Sequence, residues 1–469
     1  MANKNVPFEK SLILFIPWGL SCLFKGDPTI SYFIAWLGSF FIFYLTLTGK
    51  IKRLPNDRRV AEQIMRPIFL VQIIFAGYMC TTSIFYWLNT IGYDNFHKAD
   101  IIVLVDKDKL ELIAQCQRYY CLAHAAFVCG ILYFMKYPIE PKVKIKEGSI
   151  ANLLLIAAVI SFPLSILFLK LPGLSQFSNQ LSSLSFMAGT LALAFAIPKK
   201  KIWNTMICLF LYSSNFYTAL LTGFKEPILL SVMILGIFLY PIYKKIVLIT
   251  FVPAILLLFF ILPTYASIFR QNAWSGDTSA DEASQMALDA ALNNGTSNDD
   301  TNWDFMVNRL SEIDMFTKFI QSTPEKIDFY GFKLLDQSIV AIVPRVFWPS
   351  KPNTENLVMQ RVYDAGVINP NSTVSAKPAF VVDAYLSGGA FCIVLSLFIY
   401  GALAQLISQK AEQLFGGYLL GTALIFSGLF QIFWRGLSFE FIINNVFWGF
   451  ISMLLIAKIL KSRNILIPV

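Results

Sequence analysis

The sequence predicts an all-α polytopic membrane protein with about 12 transmembrane helices and one large external loop that contains short helices. Three observations carry that prediction. The 469 residues are 56% hydrophobic and only 14% charged, with a mean hydropathy of +0.60, too apolar for a soluble domain of this length. Apolar runs of about 20 residues, the length that crosses about 30 Å of hydrocarbon, recur along the chain. A single long polar stretch, 266–379, interrupts them.

Taken in order, the expected spans are 8–24, 29–48, 66–89, 114–135, 151–170, 177–197, 203–222, 226–243, 246–265, 380–405, 414–433 and 440–460. The first follows Lys10 and is short enough to pass for a signal peptide. Lys25-Gly-Asp-Pro28 and a second apolar run follow it in place of a small-residue cleavage site, which fits a helical hairpin better. The chain then divides into transmembrane helices 1–9 over 1–265, a periplasmic or extracellular loop over 266–379 and transmembrane helices 10–12 over 380–469.

Lys and Arg accumulate in cytoplasmic loops. Lys50, Lys52, Arg53, Arg58, Arg59 and Arg66 fall on one side with Lys136, Lys142, Lys144, Lys146, Lys199 to Lys201, Lys244, Lys245, Lys458, Lys461 and Arg463. With 12 spans, both termini are expected on the cytoplasmic side. The net charge of +9 then reads as a topology signal, not as a nucleic-acid surface. The seven cysteines lie in or beside apolar runs, which argues against a disulfide framework. His97 and His124, the only histidines, have no partner at metal-ligand spacing.

Within 266–379, the first part from Gln271 to Asn308 has no Lys or Arg and reads as a solvated, mobile acidic insertion over 277–304. Met306, Leu310, Ile313, Phe316 and Ile320 then recur at helical spacing, ended by Pro324. A second short helix is expected from Lys333 to Ile342, since Pro344 disfavours helical geometry at Val343.

No GxxxxGK[ST], GxSxG, HExxH or Rossmann glycine run is present. What remains is a set of cations on one side: Arg270, Arg309, Arg345, Lys351, Arg361, Lys377 and Arg435. Arginine grips phosphate through paired donors, and several converging would suit a pyrophosphate head group. Arg345 and Lys351 stand first, because prolines and aromatics in VPRVFWPSKP (343–352) restrict the backbone around them. Arg309, Arg270 and Arg435 follow as pyrophosphate-binding candidates. Arg118 divides evenly between function and anchoring, and His124 reads as a helix-packing hydrogen-bonder. Asp383, where the chain re-enters the membrane, is the carboxylate assigned as catalytic base, with a helix-end role as the competing reading. Gly388-Gly389 and the Gly417/Gly421 pair read as close helix packing.

These features resemble the bacterial Wzy-type O-antigen and oligosaccharide repeat unit polymerases. The residues that carry the resemblance are Pro344-Arg345, Phe347-Trp348-Pro349 and Lys351-Pro352, with Arg309 upstream, Phe329 to Phe332, and Asp383 to Phe391. The resemblance implies a membrane glycosyltransferase of the bacterial cytoplasmic membrane that polymerises undecaprenyl-pyrophosphate-linked repeat units into O-antigen, capsule or exopolysaccharide. It implies a lipid-linked donor and acceptor, membrane lipids and a chain-length regulator as partners, and calls for no cofactor and no metal. An O-antigen ligase has a similar layout, and a lipid-linked oligosaccharide flippase or a scaffold with a partner-binding loop are alternatives from other classes.

Overall fold

The computed structural model describes residues 8–93, 104–145, 150–171, 177–200, 202–221, 225–273, 278–293, 303–371 and 375–469. After the short N-terminal turns Phe8–Leu12, Ile13–Phe15 and Ile16–Leu23, the principal helices are α1 (Pro28–Leu47), α2 (Leu70–Thr90), α3 (Lys107–Phe134), α4 (Ile150–Lys170), α5 (Ser178–Ala196), α6 (Ile202–Leu220) and α7 (Lys225–Ala273). They continue as α8 (Ala280–Asn293), α9 (Ile313–Ser322), α10 (Lys333–Ile342), α11 (Thr354–Asp364), α12 (Phe380–Leu414) and α13 (Phe439–Ser462). Local chemistry starts several of them. The Asp27 carboxylate accepts from the Ile30 amide ahead of Pro28, Asp106 caps α3 through two amides, and Asn353 caps α11.

Among the described residues, six helices are long and apolar enough to cross a membrane, lying in α1, α2, α4, α7, α12 and α13. The chain is a multi-pass membrane protein, but the expected 12 spans are not found. Residues 8–24 are broken into pieces of at most eight residues. Over 114–135, α3 is continuous yet carries Gln115, Gln117, Arg118 and His124. Over 177–197, α5 carries Ser182, Ser183 and Ser185 among its apolar residues, and α6 is continuous but carries Asn204, Ser213, Ser214 and Asn215. The stretches 226–243 and 246–265 join in the 49-residue α7, whose dihedrals break at Tyr243 and which turns back so that Gly236 meets Phe251. Residues 414–433 break into Leu419–Leu429 and the four-residue turn Ile432–Arg435.

The external loop is corrected in the same way. Its first residues are the end of α7, and the helices that follow pack into the bundle. Phe316 of α9 lies 5.4 Å from the Tyr120 ring of α3, and the Trp448 indole of α13 donates to the Ile342 carbonyl of α10 at 2.8 Å. The acidic insertion also has structure: α8 seats Ala283, Ala287 and Ala291 against Tyr265 and Phe269 of α7.

At the basic end, β1 (Val143–Ile145) pairs antiparallel with β2 (Leu466–Pro468). Arg66 there bridges Asp57 and Glu412 at 2.7 and 3.1 Å. Burial opposes the Arg66 charge, but those two carboxylates raise its pKa above the ordinary value. Gly421 packs as expected, since a Cβ there would meet the Glu412 backbone at 2.5 Å. Gly388 and Gly389 do something else: they break the dihedrals of α12, and Gly389 has φ +67°, a region that favours glycine. The break sets the turns bearing Asp383 apart from the rest of α12.

Candidate functional site

Three ionisable side chains from distant parts of the chain meet at the heads of α12 and α13. Arg361 on α11, Asp383 in the first turn of α12 and Glu440 in the first turn of α13 are 2%, 0% and 0% exposed. Arg361 Nη1 donates to Glu440 Oε1 at 2.7 Å, and Nη2 donates to Glu440 Oε2 at 2.8 Å, a bidentate fork. Nη2 also donates to Asp383 Oδ2 at 2.8 Å, and the Phe439 amide donates to the same oxygen at 2.8 Å. Burial works against the Arg361 charge, but the two carboxylates outweigh it and hold the guanidinium above its ordinary pKa.

The surrounding chain closes the site. The Phe380 amide donates to the Gly436 carbonyl at 2.6 Å, the Tyr330 amide to Leu386 at 2.8 Å, and the Tyr385 hydroxyl to Thr323 at 2.8 Å. Around the centre, Asp383 Oδ1, Arg361 Nε, Ser438 Oγ and Trp434 Nε1 are buried without a hydrogen-bond partner. Unpaired groups of this kind are costly in a core and are a feature of sites that receive a ligand or a proton.

The expected site residues are distributed unevenly about this centre. Arg435 is exposed and adjoins Gly436, whose carbonyl anchors the start of α12. Arg345 is also exposed, and its Nη1 donates to the Lys351 carbonyl at 3.2 Å. Lys351 is buried, its ammonium donating to the Ala341 and Val343 carbonyls at 2.9 and 2.8 Å, where it caps α10. Burial, then repulsion from Arg345, holds its pKa below the ordinary lysine value. These two residues attach to the bundle near Trp448, roughly 12 Å along α13 from Glu440 at 1.5 Å per residue. Arg270 is half-buried at the end of α7. Arg309 lies in the π-helical turn Met306–Leu310, with its side chain outside the described residues. His97 also lies outside them. Arg118 donates to the Ser31 hydroxyl at 2.8 Å, and His124 meets Gln72 at 3.2 Å.

A second polar locus fastens the 303–314 segment to one face of α2. Tyr78 donates to Glu312 at 3.3 Å, Thr82 to the Leu310 carbonyl at 3.1 Å, and Tyr86 to Asp314 at 2.5 Å. Trp303 donates to Asn89 at 3.1 Å. The four α2 residues recur at three- and four-residue spacing, one stripe of a helix. Burial pushes the Glu312 pKa up to about 7 against the opposing pull of the Tyr78 hydrogen bond.

Glu440 was missed from sequence, and Arg361 was seen only as one loop cation among several. An acidic residue in a first helical turn is ordinary, so the sole available signal was an Asp and a Glu each opening an apolar helix. Among the described residues, no group of three or more His, Cys, Asp or Glu side chains is arranged to hold a metal ion.

The family described as "Domain of unknown function (DUF8712)" matches residues 16–468, so the chain belongs to it. No curated protein and no solved structure matches. The resemblance to Wzy-type polymerases is therefore withdrawn: it implied about 12 spans, whereas six helices among the described residues are long and apolar enough to cross a membrane, and the matching family carries no described activity. The repeat-unit polymerase function goes with it, as does the ligase alternative, which has a similar layout, and the flippase alternative from another class is not carried forward.

Proposed function

We propose that this member of the DUF8712 family is a membrane enzyme, a glycosyltransferase that draws on a lipid-pyrophosphate-linked glycan at the end of the bundle where α12 and α13 begin. One observation carries this: Asp383 is fully buried and held through Oδ2 by Arg361 and the Phe439 amide, while Oδ1 has no partner. An oriented carboxylate with one uncommitted oxygen, at the head of a spanning helix, suits proton transfer near a lipid head group. Pyrophosphate is itself a competent leaving group, so positioning and charge neutralisation supply most of what the reaction needs. The exposed Arg435 adjoins the centre and is the first choice for the pyrophosphate; Arg345, in the turn after α10 that docks near Trp448, stands farther away.

The partner this calls for is an undecaprenyl-pyrophosphate-linked glycan donor among membrane lipids. We place the protein in the bacterial cytoplasmic membrane with both termini on the cytoplasmic side. In support, the Cys129 thiol near the end of α3 contacts the Ser11 carbonyl, and β2 pairs with β1 beside Lys136, Lys142 and Lys144. Incubating purified protein with a prenyl-pyrophosphate-linked oligosaccharide tests the activity. Release of free prenyl pyrophosphate is expected; an intact donor across a panel of glycans would overturn the reading.

A further inference from the structure

We propose that Asp383 carries a proton on Oδ1 in the resting protein, so that the centre is an Arg361–Glu440 ion pair beside a neutral carboxylic acid. The inference rests on geometry and charge counting and needs no substrate, so it goes beyond the proposed activity.

Arg361 brings one positive charge, and Asp383 and Glu440 bring two negative charges when both are ionised, all in side chains no more than 2% exposed. A buried centre with an unbalanced charge is far costlier than a balanced one. The hydrogen bonds show which carboxylate is the ionised one. Glu440 engages Arg361 through both oxygens, the arrangement that a carboxylate and a guanidinium adopt as a pair. Asp383 uses only Oδ2, which accepts from Arg361 and from Phe439, and its Oδ1 has neither a donor nor an acceptor within hydrogen-bonding reach. An ionised Asp383 would leave a charged oxygen buried and bare. A proton on Oδ1 removes that charge and leaves both bonds to Oδ2 in place.

The other charged or titratable groups on the packed elements do not replace that proton: Lys377, over the Phe441 ring, is already paired with Glu355 at 3.2 Å. Tyr330, from the turn before α10, is neutral near pH 7, with its pKa raised by burial. Asp364, three residues beyond Arg361 on α11, would only add negative charge. Arg435 is exposed, and solvent screens its charge. Ser438 Oγ, which immediately precedes the Phe439 amide, is a second buried atom without a partner.

Asp383 is then a proton donor at rest and a base only after it has handed that proton on. The test is infrared spectroscopy at pH 7 on full-length protein in lipid vesicles, comparing wild type with Asp383→Asn. The wild-type-minus-variant spectrum is expected to contain the carbonyl stretch of a protonated carboxylic acid; a contribution from Glu312 cancels because it is common to both. A difference containing carboxylate stretches instead would overturn the proposal. An asparagine side chain reproduces the shape of the neutral acid, so Asp383→Asn is also expected to keep the wild-type melting temperature. Failure of that variant to fold would count against the proposal as well. Absence of transferase activity in wild type would leave the infrared result standing, so the two ideas fail separately.

Discussion

Gly130 of α3 and Gly401 of α12 let their helices meet backbone to backbone: a Cβ on Gly130 would lie 2.1 Å from the Phe398 carbonyl oxygen, and one on Gly401 would lie 2.0 Å from that of Phe127. Small residues permit this approach where lipid supplies no hydrophobic drive. Around the contact, Tyr400 stands 5.6 Å from Phe127, and Gln409 donates to the Phe134 carbonyl, so the two helices run parallel toward the basic end. Neither glycine can take a side chain without separating the helices. Gly401→Ala is expected to destabilise by about 1–3 kcal/mol or more, read as a lower melting temperature in detergent. An unchanged melting temperature would mean that the helices are farther apart.

Removing Arg361 would leave Asp383 and Glu440 buried without their cation. Arg361→Met is expected to cost about 3–5 kcal/mol, the scale for breaking a buried ion pair from one side. The Arg361→Met/Glu440→Gln double variant should recover part of that loss. Thermal unfolding of the set measures the coupling, and strictly additive effects would contradict the geometry.

Lys351 and Arg345 are expected to separate cleanly. Lys351→Met removes two hydrogen bonds that cap α10 and should cost about 1–3 kcal/mol. Arg345→Ala removes an exposed guanidinium and should leave the melting temperature within error, lowering only affinity for a pyrophosphate-bearing lipid. Equal loss of stability in both variants would show that Arg345 also supports the fold.

Glu312 gives the protein a defined pH dependence. Its pKa is raised from 4.5 to about 7, so the folded state holds the proton more tightly than the unfolded chain. The stabilisation from this group is present at acidic pH and is lost as pH rises through that window. Unfolding midpoints of wild type should fall between pH 5 and pH 8 by more than those of Glu312→Gln. Parallel pH profiles for the two proteins would refute the assignment.

Some of this was legible in residue order and some was not. The membrane class followed from composition, and the helix Lys333–Ile342 was marked by its following proline. Counting apolar runs overstated the spans because it cannot register where an apolar run breaks, as at 414–433, or where polar residues such as Gln117 and His124 bond inside the bundle. The acidic insertion concealed an alanine stripe at four-residue spacing, Ala283, Ala287 and Ala291, which composition alone does not reveal. The site was half visible. Asp383 stood out at a membrane boundary, but its neutralisation by Arg361 and the pairing of Arg361 with Glu440 link positions 22 and 79 residues apart. Lys351 shows the converse: a cation fixed between prolines looked like a ligand contact, and its ammonium serves two backbone carbonyls.

The most direct test of the central claim is turnover in vesicles reconstituted with undecaprenyl-pyrophosphate-linked oligosaccharide, comparing wild type, Asp383→Asn and Arg435→Ala, each verified as folded by its melting temperature. Wild type should release undecaprenyl pyrophosphate, with Asp383→Asn lowering the rate by about 100-fold, on the scale of general acid–base catalysis, and Arg435→Ala weakening donor use. Release by Asp383→Asn at the wild-type rate, or none by wild type itself, would contradict the account.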